Sequence, residues 1–333
     1  MTTALVHDNR LEWIDWMKTI GIYLVVLGHF DSYGNDFIYA FHMPLFFLIS
    51  GFLCKKEDDQ GIFWKKLWFN LVVPMLIIAV ANFVYASILQ LIDGSFEVKT
   101  FYWFVRNVLF GMVSGFDNLW FVYTLILLKI IFQYCRSSVL FNALTVVMLA
   151  FAYIYNNNDL SAFPFFLKEP NAIVDVCTAY PFFALGILVH DYKTMLNGWN
   201  HKGMLVMIGV CGFLLVSVCC SYNGNVGLHC CNYGGNMLLC LLGGISGTMM
   251  IYAVSKLLGH ASKYVIIISR GTIIILGFQK IIIALVRVFF PTSYADIVFA
   301  VIIVILFIPM IIWTEKYFPL MAGKYRINKI HPV

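Results

Sequence analysis

The sequence predicts an all-α fold, a polytopic integral membrane helical bundle of about ten transmembrane helices. Three observations predict it. Hydrophobic residues make up 61% of the 333 residues and charged residues 12%, with a mean hydropathy of +0.85, about half the charge of an ordinary soluble chain. Apolar runs of membrane length recur along the whole chain and leave no segment for a separate water-soluble domain. The basic residues gather in alternate connections, a signature of membrane topology.

The first apolar run, 14–30, follows His7, Asp8, Asn9, Arg10, Glu12 and Asp15 and lacks a small-residue cleavage signal, so it reads as a retained first span. The hairpin "DSYGNDF" leads into the second span, 37–54, where His42 is followed by Pro44, and proline suits a first helical turn. The remaining spans fall at 67–91, 119–134, 139–155, 173–189, 203–221, 236–255, 272–290 and 295–313. Residues 11–315 thus form one membrane domain, with 316–333 a short basic tail.

An even number of spans puts both termini on one side. The connections on that side carry Lys55, Lys56, Lys65, Lys66, Lys193 and Arg270 among others, whereas the opposite ones hold little beyond Lys99, Arg106 and Lys168. The bias places both termini in the cytoplasm, with the bundle in the cytoplasmic (inner) membrane. The net charge of +5 is therefore a topology signal and does not point to nucleic acid.

Two connections are distinctive. The aromatic segment 93–121 is too polar for a clean span and too apolar for an ordinary loop; it is either a re-entrant element that closes over a site or an interfacial helix anchored by Phe101, Tyr102, Trp103 and Phe104. Segment 156–171, "NNNDLSAFPFFLKEPN", is a turn-rich loop. Nine cysteines, odd in number and mostly within apolar runs, read as buried thiols, and no spacing resembles a metal site. The glycines of "GGISG" at 243–247 permit close helix packing.

Chemistry concentrates in the first two spans. In "MKTIGIYLVVLGHF", 17–30, Lys18 and His29 are eleven residues apart, so they share one helix face about 16 Å apart along the axis. Asp15 lies three residues before Lys18, within reach for an ion pair across one turn. The hairpin brings His42 toward the depth of His29. Histidine exchanges a proton near neutrality, and polar residues inside a membrane bundle mark function by default. The bland reading is an interfacial histidine and a snorkelling surface pair.

These residues, together with "FHMPLFFLISGFL" at 41–53, "NLWFVYTLILLK" at 118–129, "YPFFALGILV" at 180–189 and "GTIIILGFQKII" at 271–282, resemble the integral-membrane acyltransferase 3 family, closest to its fucose 4-O-acetylase-like branch. The resemblance covers residues 11–315. It implies transfer of an acyl group, commonly acetyl from cytoplasmic acetyl-CoA, to a sugar hydroxyl of a surface or exported glycan. Acetyl-CoA or another acyl-CoA is then a co-substrate, with no permanently bound cofactor and no metal. It implies His29, Asp15 and His42 as catalytic positions, Lys18 as a donor-binding cation joined by Lys66, and Trp120 and Phe121 as an aromatic pair. Asn118, Trp120, Phe121, Arg106 and Gln279 are the acceptor-binding candidates. Gln279 stands where relatives commonly carry histidine, and its amide hydrogen-bonds without relaying a proton.

The implied mechanism has acyl-CoA entering from the cytoplasm and His29 deprotonating the acceptor hydroxyl, with an acyl-histidine intermediate as the alternative. The partners expected are a carbohydrate or glycolipid acceptor, the acyl-CoA donor and the lipid bilayer. A polytopic transporter of a small molecule or glycan precursor is the competing function, although the sequence shows no internal repeat.

Overall fold

Each predicted span is mainly helical, because backbone in hydrocarbon must satisfy its own N–H and C=O groups. The structure is a computed structural model that describes residues 10–324 apart from 31–33, 112–118, 136, 159–162, 165–166, 168–170, 230 and 292–294. In chain order the helices are α1 (Glu12–Gly28), α2 (Asn35–Tyr39), α3 (His42–Phe52), α4 (Gln60–Leu67), α5 (Val73–Ile92), α6 (Lys99–Phe110), α7 (Trp120–Tyr134) and α8 (Ser138–Asn157). They continue with α9 (Ala172–His190), α10 (Lys193–Gly198), α11 (Lys202–Asn223), α12 (Met237–Leu258), α13 (Lys263–Arg270), α14 (Thr272–Phe289) and α15 (Asp296–Tyr317).

Among the described residues, seven helical segments are long and apolar enough to cross a membrane: 60–92, 139–157, α9, α11, α12, α14 and α15. The chain is an all-α polytopic membrane protein. The 17-residue α1, the 11-residue α3 and the 15-residue α7 are shorter and lie inside the bundle.

Two predicted spans differ in detail. The span at 37–54 is broken into α2 and α3, because the backbone at Phe41 leaves helical geometry (φ −142°) and Pro44, with no N–H to donate, starts the new helix in its first turn. The span at 67–91 is longer than expected: α4 and α5 run together from Gln60 to Ile92 through a π-helical turn at Trp68–Val72. The 93–121 segment contains α6, whose Phe101, Tyr102 and Trp103 are exposed while Phe104 stacks on Phe83 of α5. Exposed aromatic rings on such a helix fit the interfacial-helix alternative.

Burial separates an inner set from a lipid-facing ring. In α9, 67% of the span is buried, against 17% for 139–157 in α8, so α9 is a core helix and α8 turns its apolar side chains outward. The core depends on close backbone approach between α3 and α9. A Cβ on Gly51 would fall 2.0 Å from the Phe183 carbonyl oxygen, and one on Gly186 would fall 2.1 Å from that of Leu48; only paired glycines allow this contact. In "GGISG", Gly244 sits against Phe182 and Gly247 against Phe41, the close packing the sequence indicates. The eight described cysteines are all free thiols.

Candidate active site

A cavity of about 190 Å³ lies among α1, α3, α7 and α14, with Leu71 of the π-helical turn in its wall. Its lining follows helical periodicity on each element. From α1 come Lys18, Ile22 and Val25; from α3, Met43, Phe46, Ile49 and Ser50; from α14, Thr272, Ile273 and Leu276. Continuing each row by one turn gives His29 on α1, His42 on α3 and Gln279 on α14. The cavity thus has a cation and two hydroxyls near its lysine-rich end, and the same three helix faces carry two histidines and an amide beyond its far end.

Lys18 is half-buried and makes no hydrogen bond or ion pair among the described residues. The charges that act on it are those of Asp15, Arg10 and Lys129. A second cavity of about 270 Å³ adjoins the first at Leu71, and Lys55, Lys66 and Lys129 line it together with Glu57, Asn70 and Gln133. Lys66 is held there by Glu57 at 2.6 Å, and Lys129 approaches the Cys54 sulfur at 3.7 Å.

At the far end the two histidines are oriented alike. His29 Nδ1 donates to the Val25 carbonyl at 2.6 Å, and His42 Nδ1 donates to that of Ile38 at 2.9 Å. Each bond fixes the proton on Nδ1 and puts the lone pair of the ring on Nε2. The two rings lie within electrostatic reach of one another. Tyr39 meets His42 edge-on with ring centroids 4.9 Å apart and packs on Gly28, while Asn35 donates to the Gly28 carbonyl at 3.0 Å. Gln279 is fully buried, and among the described residues neither its Nε2 nor its Oε1 has a hydrogen-bond partner.

Asp15 behaves differently from expectation. Its carboxylate does not pair with Lys18: Arg10 holds it in a fork, Nε to Oδ2 at 2.6 Å and Nη2 to Oδ1 at 2.7 Å, and the Ser269 hydroxyl of α13 donates to Oδ1 at 2.6 Å. A guanidinium fork matches a carboxylate better than an ammonium one turn away. The hydrogen bond to Asp15 also holds Arg10 above its ordinary pKa, against the opposing effect of burial. Nearby, Glu12 accepts from the Ala261 amide at 2.7 Å, so the start of α1 is anchored to the approach to α13.

The remaining predicted residues scatter. Phe121 lines the cavity and packs against Phe46 and Phe47. Trp120 lies outside it, tilted on Phe47 at 6.2 Å and stacked on His229 at 5.1 Å. Arg106 sits over the Trp103 ring of its own helix, 4.3 Å from the centroid, and is not in the cavity wall. Asn118 lies outside the described residues.

Sequence reasoning missed Arg10 and Ser269 as the partners of Asp15, Lys129 in the basic cavity, and a pair formed by Asp175 and His229 at 2.8 Å. Asp175 did leave a signal, since it is the single carboxylate within the span 173–189 and a charge at such a position calls for a partner.

Comparison with known proteins adds three findings. The family described as an acyltransferase domain matches residues 11–314. Nodulation protein NolL of Mesorhizobium japonicum (strain LMG 29417 / CECT 9101 / MAFF 303099) is 26% identical over 275 residues, 72% of this chain and 66% of that protein. No solved structure matches the chain.

Proposed function

The chain belongs to the acyltransferase 3 family, and from that premise we propose that it is a membrane O-acetyltransferase that moves acetyl from acetyl-CoA to a sugar hydroxyl of a surface or exported glycan. The observation that carries this reading is the cavity with unpaired Lys18 at one end and the rows leading to His29, His42 and Gln279 at the other. A cation left without a partner inside a membrane bundle favours an anionic or strongly dipolar ligand. The adjoining basic cavity, which the lysine bias of the connections assigns to the cytoplasmic side, suits the phosphates of coenzyme A, with Lys55, Lys66 and Lys129 as their partners. The pantetheine arm then passes Leu71, the residue common to both cavities, and carries the thioester alongside α1.

In the transfer step, Nε2 of His29 takes the proton of the acceptor hydroxyl as its oxygen attacks the thioester carbonyl carbon. The C–S bond breaks, the ester forms, and the departing thiolate recovers the proton from the His29 imidazolium. The backbone bond at Nδ1 holds the ring in the tautomer this requires. His42 supports the acceptor at the same level. The Gln279 amide donates to the carbonyl oxygen as negative charge develops, a use for a buried donor with no partner among the described residues. Asp15 acts at a distance from this chemistry, fixing the lysine-rich end of α1 through Arg10 and Ser269.

Purified protein in lipid vesicles, given acetyl-CoA labelled in the acetyl group and glycan acceptor, is expected to yield labelled glycan ester. His29→Ala is expected to insert normally and lose at least about a hundredfold in transfer, the lower range for removing a general base. Full transfer by that variant would remove His29 from the mechanism; label that crosses the bilayer unattached to glycan would make the protein a transporter.

A further inference from the structure

One polar constellation lies outside the transfer path. Asp175, in the first turn of α9, is fully buried, and its Oδ2 accepts a hydrogen bond from Nδ1 of His229 at 2.8 Å. His229 comes from the connection between α11 and α12, and its ring is stacked on the Trp120 indole with centroids 5.1 Å and planes 27° apart. That connection is braced around it. The Thr178 hydroxyl is placed between the carbonyls of Asp175 and Leu228, at 2.8 and 3.1 Å, and Gly227 and Asn232 pair through their backbones.

The geometry leaves the imidazole with one free valence. A proton held on Nδ1 by a carboxylate puts the lone pair on Nε2, which has no partner among the described residues. With Nδ1 against a buried carboxylate, the exposed 21% of the side chain lies on the other edges of the ring. The position adjoins the cavity, because Trp120 precedes the cavity-lining Phe121 and both rings rest on Phe47.

We propose that Asp175, His229 and Trp120 form a hydroxyl-binding subsite at the far mouth of the cavity, where His229 Nε2 accepts a hydrogen bond from a neutral, polyhydroxylated acceptor. The chemistry selects that class. A lone pair backed by a buried carboxylate attracts an O–H donor and repels a phosphate or carboxylate. The indole edge beside it offers apolar contact to a sugar ring. In this arrangement His229 positions a hydroxyl that does not react, while His29 serves the one that does; the inference rests on the acyltransferase reading for its kinetic arm only.

His229→Asn separates the subsite from a merely structural brace, since the asparagine amide can donate to Asp175 from the place of Nδ1–H while nothing replaces Nε2. In the full-length protein, the KM for the glycan acceptor is expected to rise about tenfold, the loss of one good hydrogen bond, with the KM for acetyl-CoA and the thermal midpoint unchanged. An unchanged acceptor KM, or an equal rise in both constants, would overturn the proposal.

A second measurement needs no turnover. Diethylpyrocarbonate acylates the free nitrogen of accessible histidines, and its rate at His229 in the wild type can be followed by peptide mass. Methyl glycosides of glucose, galactose and fucose are the probes, with inorganic phosphate as control. Protection by a glycoside and not by phosphate is expected. No protection by any glycoside, equal protection by phosphate, or no modification of His229 at all would each sink the subsite. Glycoside protection in a protein that transfers no acetyl would leave the subsite standing and refute the proposed reaction.

Discussion

Asp15 and Asp175 are both buried in this bundle, and they are held in different ways. Asp15 is gripped by the Arg10 fork and the Ser269 hydroxyl, so every strong interaction it makes ends in a closed contact. Asp175 is paired with an imidazole, which has a second nitrogen. Beyond its carboxylate a guanidinium offers only donors, whereas an imidazole with its proton on the carboxylate side carries an acceptor on its other edge. Burial alone therefore does not distinguish a structural acid from one that serves a site. The partner does.

The largest expected effect tests the first half of that contrast. Arg10→Ala leaves Asp15 buried with Ser269 as its remaining hydrogen-bond donor, and is expected to cost about 2–3 kcal/mol, below the range for a fully buried pair because Arg10 is one-third exposed. Thermal unfolding in detergent measures it, and the acceptor KM of the folded fraction should stay at the wild-type value. A shifted acceptor KM with unchanged stability would make Asp15 a site residue after all.

Asp175→Asn is the smaller, opposite case. The amide oxygen still accepts from His229, so stability should fall by about 1 kcal/mol, while loss of the charge behind the imidazole should raise the acceptor KM several-fold. Equal acceptor KM in wild type and variant would place both carboxylates in the same structural class.

Gln279 extends the comparison to a buried polar group with no hydrogen-bond partner among the described residues. Replacing such a group by an apolar residue of similar size is nearly neutral or stabilising when nothing binds it. Gln279→Leu should therefore keep or slightly raise the thermal midpoint and lower transfer about tenfold, below the roughly hundredfold low end for a donor in a dedicated oxyanion hole. Unchanged transfer would show that the amide is idle.

These contrasts follow the line between what the sequence made legible and what it did not. The spans were legible because hydropathy and length act locally. The shared face of Lys18 and His29 was legible because both sit on one helix, where eleven residues nearly close three turns. The second-span break at Phe41 needed backbone geometry that an apolar run conceals. Asp15 was visible, but its partners were not: Arg10 precedes the helix, and Ser269 arrives from 254 residues away. The Asp175–His229 pair joins residues 54 apart across α9 and the α11–α12 connection, so only helix packing brings it together. Gln279 was noticed through family resemblance, while its lack of any partner is a property of the folded bundle.

The shortness of α1 carries one more consequence. Its 17 residues rise about 25 Å, less than the roughly 30 Å of a hydrocarbon core. The helix that carries Lys18 and ends at His29 is thus shorter than the hydrocarbon it sits in, and under the proposed reaction the distance between donor side and acceptor side is set by protein and not by lipid. Vesicles made with longer acyl chains should then alter how the outer ring of helices sits in the membrane while leaving the gap between those two side chains, and the chemistry across it, nearly constant.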